Sequence, residues 1–413
     1  MRLQKILTIM VITVFIVTGC RTDFSPLQEK RPLMRVLTPS EQQLVQTSQN
    51  FGLKLFREIN VQDTDKNLFI SPLSVSMALG MTMNGAVGET YEAMRQTLDF
   101  GDLSEAEINE AYRSLIDLLL NLDPEVIFEI ANSIWPKEGY PVLPEFMEIN
   151  RKYFDAEARP LNLSRADAVA IINNWISKKT HGKIENMLDY IPADAVMYLI
   201  NAIYFKGTWT YQFDKEHTRS EPFYRTPRNP VNVEMMKISG DFLYYNDSKV
   251  QIIDLPYGDS LFCMTIFLPA SGQSIDDFIA GLTPEQWLNY LQSMQREFGT
   301  LTLPKLKIGY KLLMNDVLDA LGMGIAFSDQ ADFSRINGFG GLFISRVIHQ
   351  SFVQVDEEGT EAAAATIVEM QETSAGPEGF DMRVNRPYFF VIRERSNNTL
   401  LFMGKIIEPL WED

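Results

Sequence analysis

The stretch SFVQVDEEGTEAAAATIVEMQETSAGPEGFDMRVNRP, from Ser351 to Pro387, decides how the rest of the chain is interpreted. Its first residues alternate β-forming and polar side chains, which predicts a strand over 352–355. The next strand is not expected until about Tyr388. A connection of roughly thirty residues is uncommon inside a compact domain, and loops of that length are usually functional or disordered.

The part of this stretch after Gly359 has the side chains of a strand with one apolar face. Residues at alternate positions of a strand share a face. One face is uncharged and consists of small or β-branched residues, namely Thr360, Ala362, Ala364, Thr366 and Val368. The other face carries Glu361. This pattern predicts a segment that enters a sheet with one face buried. A short helix through the four alanines is the alternative.

The composition is that of one large folded domain. The 413 residues are 46% hydrophobic. No repeat, low-complexity run or flexible linker divides them, so a single domain over 38–413 is predicted, although the length allows two or three. The net charge is −17 without a basic cluster, which argues against nucleic acid as a partner. Two cysteines supply no disulfide framework. A monomer is expected.

The N-terminus has the parts of an export signal. A short basic region precedes an apolar run from Ile6 to Val17, which is shorter than the roughly 20 residues of a spanning helix. The sequence VTGC that ends at Cys20 then resembles the bacterial lipobox, in which the cysteine becomes the lipidated first residue. The resemblance implies a signal peptide over 1–19 and a tether over 20–37. An ordinary export signal with a chance cysteine is the alternative.

A lipid on Cys20 would connect the protein to a membrane, and two acyl chains suffice for stable anchoring. Arg21 follows the cysteine, so the aspartate-based signal that retains lipoproteins in the inner membrane of enteric bacteria is missing. The expected location of this bacterial lipoprotein is therefore the outer membrane or the cell surface.

Helical patterns gather in the N-terminal half and strand patterns in the C-terminal half, which predicts the α+β class. Helices are predicted from a capping box at Thr38–Glu41 to about Ile59 and over 72–79, 88–98, 104–121, 145–153, 166–179, 274–280, 284–296 and 312–321. Strands are predicted over 67–70, 126–135, 196–205, 231–236, 243–245, 250–255, 261–268, 300–310, 388–393 and 400–406.

Most enzyme and cofactor sites have no counterpart in this sequence. The three histidines, His181, His217 and His349, are not at metal-ligand spacing. There is no phosphate-binding loop and no glycine-rich dinucleotide turn, so no cofactor is expected. Cys263 lies in a predicted strand, which indicates a buried and inert thiol.

One motif resembles a hydrolase signature. GDSL at Gly258–Leu261 matches the serine block of the GDSL hydrolases, and DKEH at Asp214–His217 matches their D-x-x-H block. In that family the histidine block follows the serine block, whereas here it precedes it. A hairpin turn between two strands explains the glycine and aspartate fully. Catalysis by Ser260 is therefore a minor alternative.

Six blocks in the same order resemble those of the serpins. NLFISPLS at Asn67–Ser74 resembles N-x-F-x-S-P-x-S, and NAIYFKGTW at Asn201–Trp209 is close to N-A-x-Y-F-K-G-x-W. Further matches are LPKLKI at Leu303–Ile308, ADFS at Ala331–Ser334, the stretch Val355–Thr366, and FMGK at Phe402–Lys405. The resemblance covers about residues 38–409. It implies three β-sheets, eight or nine helices and an exposed reactive loop over about 359–384.

The resemblance also implies a mechanism. Inhibitory serpins are cleaved in this loop by a target protease, and a hinge then inserts as a new central strand. The hinge maps to Gly359, Thr360, Glu361, Ala362, Ala363, Ala364, Ala365 and Thr366. Burial of an unpaired charge costs several kcal/mol or more, and the face to be buried has none. An inhibitor is therefore expected. The alternative is a non-inhibitory serpin that serves as a surface binding or storage protein.

The resemblance places the scissile bond after the fourteenth residue past Gly359, between Thr373 and Ser374, with Met370 or Gln371 as alternatives. No lysine or arginine lies between Gly359 and Met382, which disfavours trypsin-like targets because their pocket requires a basic residue. Elastase-like or subtilisin-like serine proteases are the expected partners, and cysteine proteases remain an option. Heparin is not an expected partner, since helix 104–121 is acidic.

Two further clusters carry over from the family. The shutter, a polar cluster beneath the sheet that must part for insertion, maps to Ser71, Ser74, Asn201 and His349. His349 is expected to form hydrogen bonds rather than to react. The breach, where the loop first enters the sheet, maps to Trp209, Glu357 and Lys305.

Overall fold

The computed structural model describes residues 35–360 and 379–411. In these ranges most of the helix precedes most of the strand along the chain, which confirms the α+β class. No helix in the described part is both long and apolar enough to cross a bilayer.

The described residues form ten α-helices. They are α1 (Pro39–Gln62), α2 (Pro72–Met83), α3 (Gly88–Thr97), α4 (Glu105–Leu120), α5 (Pro144–Phe154), α6 (Ala168–Lys179), α7 (Ile275–Gly281), α8 (Pro284–Ser293), α9 (Asn315–Leu318) and α10 (Ser334–Asn337). The family resemblance implied eight or nine. The difference comes from α9 and α10, which are single turns of 4 residues each.

Fifteen strands lie in the same ranges. They are β1 (Leu68–Ile70), β2 (Val126–Pro136), β3 (Glu157–Ala158), β4 (Met197–Thr208), β5 (Arg219–Thr226), β6 (Asn229–Asn246), β7 (Val250–Tyr257), β8 (Phe262–Pro269), β9 (Gln295–Pro304), β10 (Leu306–Leu313), β11 (Ile348–Val355), β12 (Gly359–Thr360), β13 (Phe380–Arg383), β14 (Tyr388–Glu394) and β15 (Leu400–Ile406).

These strands form three sheets. The main sheet has the order β10-β11-β12-β4-β2-β3. The second sheet runs β1-β15-β14-β8-β7-β6. The long strand β6 continues into a small third sheet, in which its first half pairs with β5 and a later part pairs with β9, with β13 on the far side of β9. The three sheets implied by the resemblance are thus present.

The helices begin where the sequence predicts. Thr38 caps α1, since its hydroxyl accepts the backbone N–H of Glu41 while the Glu41 carboxylate accepts the backbone N–H of Thr38 at 2.7 Å. Ser71 caps α2, which is buried along almost its whole length and contacts both β4 and β15. Helix α2 therefore packs between the main sheet and the second sheet, directly beneath the strands that frame the candidate site.

Two predictions for the strands are wrong because sheet membership is not a local property. The strand predicted over 300–310 is two strands in different sheets, since β9 ends at Pro304 and β10 starts at Leu306. Between them, the Lys305 backbone N–H donates to the Glu234 carbonyl at 2.8 Å. Conversely, the separate strands predicted over 231–236 and 243–245 are the single strand β6 of 18 residues.

The expectations around residues 312–321 and before Tyr388 also need correction. The helix predicted over 312–321 is shorter, because residues up to Leu313 still belong to β10 and a wider turn over Asp319–Met323 follows α9. Strand β13 precedes the strand expected at Tyr388. It pairs in parallel with β9, and the ring of Phe380 stacks on Tyr244 with centroids 3.9 Å apart.

An ion pair is buried in the second sheet. The Arg393 guanidinium donates to the Asp254 carboxylate at 2.6 Å and to the Thr265 hydroxyl at 2.9 Å, and that hydroxyl donates to the other Asp254 oxygen at 2.6 Å. The arginine and aspartate side chains are only 4% and 1% exposed. The pair connects β14, β8 and β7, so the loss of one partner would leave the other charge buried without compensation.

We predict that Asp254→Ala lowers the free energy of unfolding by about 3–5 kcal/mol, the range for breaking a buried pair. The matched control is Asp117→Ala, which breaks a surface pair with Arg113 whose side chains are 53% and 39% exposed. Asp117→Ala should lower the free energy of unfolding by no more than about 1 kcal/mol. Urea denaturation of the two variants measures both values. Equal losses of unfolding free energy in the two variants would show that the buried ion pair contributes no more to stability than the surface pair does.

Candidate functional site

Strand β12 occupies the position between β4 and β11 at one end of the main sheet. Gly359 pairs with Thr208 and Thr360 pairs with Gly207 on β4, and Thr360 pairs with Val355 on β11. In the described part of the chain β12 is the only link between these two strands. The first two hinge residues therefore lie in the sheet already, as the start of an antiparallel central strand.

A close approach of two backbones explains the glycine at this point. A Cβ atom on Gly359 would collide with the Gly207 carbonyl oxygen and would lie 2.8 Å from the Thr208 Cα. No side chain fits there without displacing β4. Glycine is therefore needed here for a steric reason, besides the torsional freedom that it gives the backbone.

Thr360 is buried and faces the interior of the molecule. Its hydroxyl lies 2.5 Å from the hydroxyl of Tyr257, at the end of β7. The Tyr257 ring stacks on Trp209 with centroids 4.4 Å apart. This ring needs the absence of a side chain at Gly207, because a Cβ atom there would be 2.7 Å from the tyrosine. Burial raises the pKa of Tyr257 well above its ordinary value, so the phenol stays neutral.

The structure brings the three predicted breach residues together around β12. The Trp209 indole N–H donates to the Asp356 carbonyl at 2.9 Å, and its backbone N–H donates to the Glu358 carbonyl at 2.9 Å. The Lys305 ammonium donates to the Glu357 carboxylate at 2.9 Å. These contacts hold the turn between β11 and β12 against β4.

Opposing influences act on the pKa of Glu357. Burial alone would raise it, but hydrogen bonds from Lys305 and from the hydroxyl of Thr218, together with the lysine charge, lower it overall. The carboxylate is therefore ionised at neutral pH, and its two oxygens bind side chains from the ends of β5 and β9.

Asp356 and Tyr257 also belong to this site, although neither was predicted from the sequence. The Asp356 carboxylate accepts the backbone N–H groups of Glu358 and Gly359 at 3.0 and 3.3 Å, which shapes the turn. An aspartate three residues before a glycine is a turn signal that was available from the sequence. Tyr257 carries no such signal, because its partner Thr360 lies 103 residues further along the chain.

A crevice continues between β4 and β11 beyond Thr360. It is lined by Ile203, Phe205 and Val353 from the two strands and by Phe69, Ile392 and Phe402 from the second sheet below. The lining is mostly apolar, and Lys183 is its one charged residue among the described residues. The crevice runs along the course that a longer β12 would follow.

The predicted shutter residues form one cluster and one separate residue. The Ser71 backbone N–H donates to His349 Nε2 at 3.1 Å, and the Ser71 hydroxyl accepts the backbone N–H of Ser74 at 3.2 Å and donates to the Leu401 carbonyl at 2.7 Å. Asn201 lies across the crevice on β4, where its amide N–H donates to Asn132 at 2.7 Å. Its buried Oδ1 has no hydrogen-bond partner among the described residues.

His349 is neutral in this setting. Its Nε2 accepts a backbone N–H, so the ring proton is on Nδ1. Burial, with only 4% of the residue exposed, lowers the pKa of the imidazole to about 4. The expectation that this histidine forms hydrogen bonds agrees with these contacts.

The hydrolase alternative has no support in the geometry. Ser260 lies in the turn between β7 and β8, where its hydroxyl is 3.4 Å from that of Thr210. His217 lies in a short 3₁₀ turn with Nδ1 3.5 Å from Asp214. No hydrogen bond within the described ranges joins Ser260 to His217. The hairpin turn predicted at this motif is present.

Cys263 is buried in β8, and burial raises the pKa of its thiol to about 12. Within residues 35–360 and 379–411, no group of three metal-binding side chains is placed to hold an ion. Several predicted site residues fall outside the described residues. They are Cys20, the hinge residues Glu361, Ala362, Ala363, Ala364, Ala365 and Thr366, and the reactive pair Thr373 and Ser374.

Comparisons with known proteins agree with this architecture. Residues 46–409 match the family model described as Serpin (serine protease inhibitor). Iripin-2 of Ixodes ricinus is 33% identical over 373 residues, which cover 89% of this chain and 94% of Iripin-2. The chain thus belongs to the serpin family, whose members are in general protease inhibitors rather than enzymes and act on target proteases.

Two solved structures show the same fold. Tengpin, a thermophilic serpin in the native state, has a TM-score of 0.80 and 31% identity, covering 91% of this chain and 95% of its own. Human thyroxine-binding globulin, complexed with its ligand, has a TM-score of 0.83 and 26% identity, covering 90% of this chain and 100% of its own.

We predict that His349 makes native stability depend on pH. An unfolded histidine titrates near 6.5, so the unfolded state binds this proton more readily than the native state does. The stability that the neutral His349 contributes to the native state is fully present above pH 6.5 and is lost as the pH falls toward about 4. Between pH 7.5 and 5.0, the wild type should lose about 2 kcal/mol more stability than His349→Gln.

Urea denaturation at the two pH values measures this difference. Glutamine is the matched replacement because its side-chain oxygen can still accept the Ser71 N–H without titrating. The His349 ring resonances of the native protein should keep their neutral shifts down to about pH 4. An identical pH dependence in the two proteins would contradict the prediction.

Proposed function

We propose that this serpin inhibits serine proteases by covalent trapping, with insertion of the reactive loop into the main sheet. The observation that carries the proposal is the position of Gly359 and Thr360, which form the start of a central strand between β4 and β11. The target serine attacks the carbonyl carbon of Thr373 and forms an ester. The peptide bond breaks, and Ser374 leaves as the new N-terminus of the C-terminal fragment.

The register of β12 tests whether the hinge suits insertion. Continued along both strands, it would set Ala362 between Phe205 and Val353. Two residues further, Ala364 would lie between Ile203 and Ser351. These neighbours are all on the inner face, since Phe205, Ser351 and Val353 are buried and Ile203 lines the crevice. Only small, uncharged side chains fit such positions, which are the residues that this sequence supplies.

The same register would bring Thr366 between Asn201 and His349. Within residues 35–360 and 379–411, the buried Asn201 Oδ1 has no hydrogen-bond partner. A threonine hydroxyl can donate to it, and a buried acceptor that gains a donor removes a penalty of about 1–3 kcal/mol. The shutter residues would thus interact better with an inserted loop than without one, which favours insertion once the loop is cut.

The uncut loop prevents full insertion because its other end is held. Residues from Gly379 onward lead into β13, which is hydrogen bonded to β9 in the third sheet. Cleavage between Thr373 and Ser374 releases this constraint. The native protein is then a kinetically trapped state, and its inhibitory activity uses the difference in free energy between the two forms.

The expected targets are elastase-like or subtilisin-like proteases, since Thr373 is small and no basic residue lies nearby in the loop. A non-inhibitory binding or storage protein is the second candidate. The similarity to human thyroxine-binding globulin, whose name states a binding function, favours that alternative. The hinge sequence argues for inhibition, because a carrier has no need for an uncharged inner face.

The same proposal extends to location. The VTGC sequence before and at Cys20 supports lipidation of this cysteine and attachment to the outer membrane or the cell surface. Two acyl chains would hold the protein stably at the bilayer, and residues 20–37 would serve as the tether.

We predict a covalent complex that survives denaturing electrophoresis when the form lacking residues 1–20 meets an elastase-like or subtilisin-like protease. Thr360→Arg should lose the complex and become a substrate, because it would place an unpaired charge against Tyr257 in the core. The control Thr226→Arg makes the same change on an exposed strand end and should form the complex like the wild type. Sequencing of the released peptide should start at Ser374.

Clean cleavage of the wild type without complex, across both protease classes, would reject trapping and support the non-inhibitory alternative. Equal complex formation by Thr360→Arg would reject the insertion step.

The lipid attachment is tested separately. We predict that the full chain partitions into the detergent phase of Triton X-114 and that Cys20→Ser moves it to the aqueous phase, because the acyl chains supply the membrane affinity. Cys263→Ser is the matched control, since that thiol is buried. Detergent partitioning of Cys20→Ser would contradict lipidation at this residue.

A further inference from the structure

A cavity of about 380 Å³ lies near the outer edge of the main sheet, beside β2 on the side away from β4. Residues of β2 and β3 and the ends of α5 and α6 surround it, and we call it the edge cavity. Its volume is within the range that small ligands occupy. The lining residues that matter for recognition are Ile130, Arg151, Asp155, Glu157 and Lys179.

Strand β2 has a free backbone edge in this cavity. It pairs with β4 along all of Val126–Pro136, whereas on its other side β3 pairs with Ser133 and Ile134. The Ile134 carbonyl accepts the Arg159 N–H at 2.8 Å on the β3 side. Backbone groups of alternate residues point to the same side of a strand, so those of Ile130 point this way too. In the described part of the chain no strand lies beside Ile130 there, so its N–H and C=O face the edge cavity.

A cation without a protein partner lines the same cavity. Arg151 lies in the last turn of α5 and is exposed. Within residues 35–360 and 379–411, its guanidinium forms no hydrogen bond and no ion pair. A guanidinium presents its N–H donors in a planar fork that matches the two oxygens of a carboxylate. A carboxylate is therefore the group that suits this end of the cavity.

The two carboxylates of the lining have cations beside them. The Glu157 carboxylate accepts from Lys179 at 2.8 Å and from Arg159 at 2.6 Å. Burial alone would raise the pKa of Glu157, but these hydrogen bonds lower it overall to about 2. The Asp155 carboxylate lies 4.0 Å from the Arg113 guanidinium. These neighbours reduce the repulsion that an anionic ligand would meet from either carboxylate.

We propose that the edge cavity binds a short peptide with a free carboxylate. The backbone groups of Ile130 pair with the peptide as with an added strand, and Arg151 holds its carboxylate. Main-chain hydrogen bonds give affinity when a peptide joins an open sheet edge, and a pocket for one end gives direction. A small acid would use Arg151 alone and would leave the edge of β2 unpaired.

This site is separate from the crevice, because β2 and β4 lie between the two. Peptide binding is therefore independent of the trapping function proposed above. It adds a second, reversible ligand to a protein whose proposed partner is a protease.

The test titrates N-acetyl-trialanine, which has a free C-terminal carboxylate, into the full chain in mild detergent. Isothermal titration calorimetry measures its dissociation constant, and hydrogen exchange with mass spectrometry locates it. N-acetyl-trialanine amide, which lacks the carboxylate, and acetate, which lacks the peptide, are the ligand controls. The variant is Arg151→Gln. Arg228→Gln is its matched control, because Arg228 is also exposed but lies in the turn between β5 and β6.

The wild type and Arg228→Gln should bind the peptide acid equally. Arg151→Gln should bind it about tenfold more weakly, the loss expected when a hydrogen bond between charged groups is removed. The amide and acetate should each bind the wild type about tenfold more weakly than the acid does. The bound acid should slow backbone exchange in the segment that contains Ile130, because the free N–H gains an acceptor.

Other outcomes overturn the inference. No binding of the acid, or equal binding by Arg151→Gln and Arg228→Gln, would reject the carboxylate site. Acetate that binds as tightly as the peptide, or bound peptide without slower exchange around Ile130, would reject strand addition. Arg151→Gln should still form the covalent protease complex, since the hinge is unchanged. Peptide binding by a chain that forms no such complex would support this site and reject the proposed function alone.

Discussion

The contact between Thr360 and Tyr257 is the interaction on which the arrangement of the main sheet depends. It places the start of a central strand between β4 and β11 and buries a hydroxyl that is satisfied at 2.5 Å. Two glycines make this contact possible, because Gly207 leaves space for the tyrosine ring and Gly359 lets two backbones approach. The uncharged Thr360, its hydrogen-bonded hydroxyl and the two glycines therefore meet the same requirement, which is to fit β12 between β4 and β11.

The polar residues beneath the sheet are arranged around the same strand position between β4 and β11. His349 satisfies the first backbone N–H at the start of α2 and remains neutral because it is buried. On the opposite side of the crevice, the side-chain oxygen of Asn201 has no hydrogen-bond partner in the part of the chain that the structure describes. Most buried polar groups are paired, so an unsatisfied buried oxygen at the crevice is an exception that needs an explanation. A threonine at 366, inserted at the register of β12, would supply a hydroxyl donor to this oxygen.

Sequence reasoning succeeded where the determinants are local. The capping box of α1 and the serine cap of α2 lie within a few residues of the elements they start, so both helices could be predicted. It failed at Lys305, where β9 and β10 read as one strand although they lie in different sheets, because alternation along a chain carries no information on which sheet a strand joins. Tyr257 was missed for a related reason: its role exists only through a residue far away in sequence.

The length of the sheet limits where the loop can be cut if trapping is to work. Continued from β12, the register would set Met370 level with Met197, the first residue of β4, and already past Ile348, the first residue of β11. An acyl bond at Met370 would therefore lie at the edge of the sheet, with little room for an attached protein. Thr373, three residues further, would lie past the ends of both β4 and β11. Met370, Gln371 and Thr373 are the candidates for the residue before the scissile bond, and of these Thr373 would leave an attached protease furthest clear of both strands, because each residue added to the inserted segment carries the acyl bond further past the ends of β4 and β11.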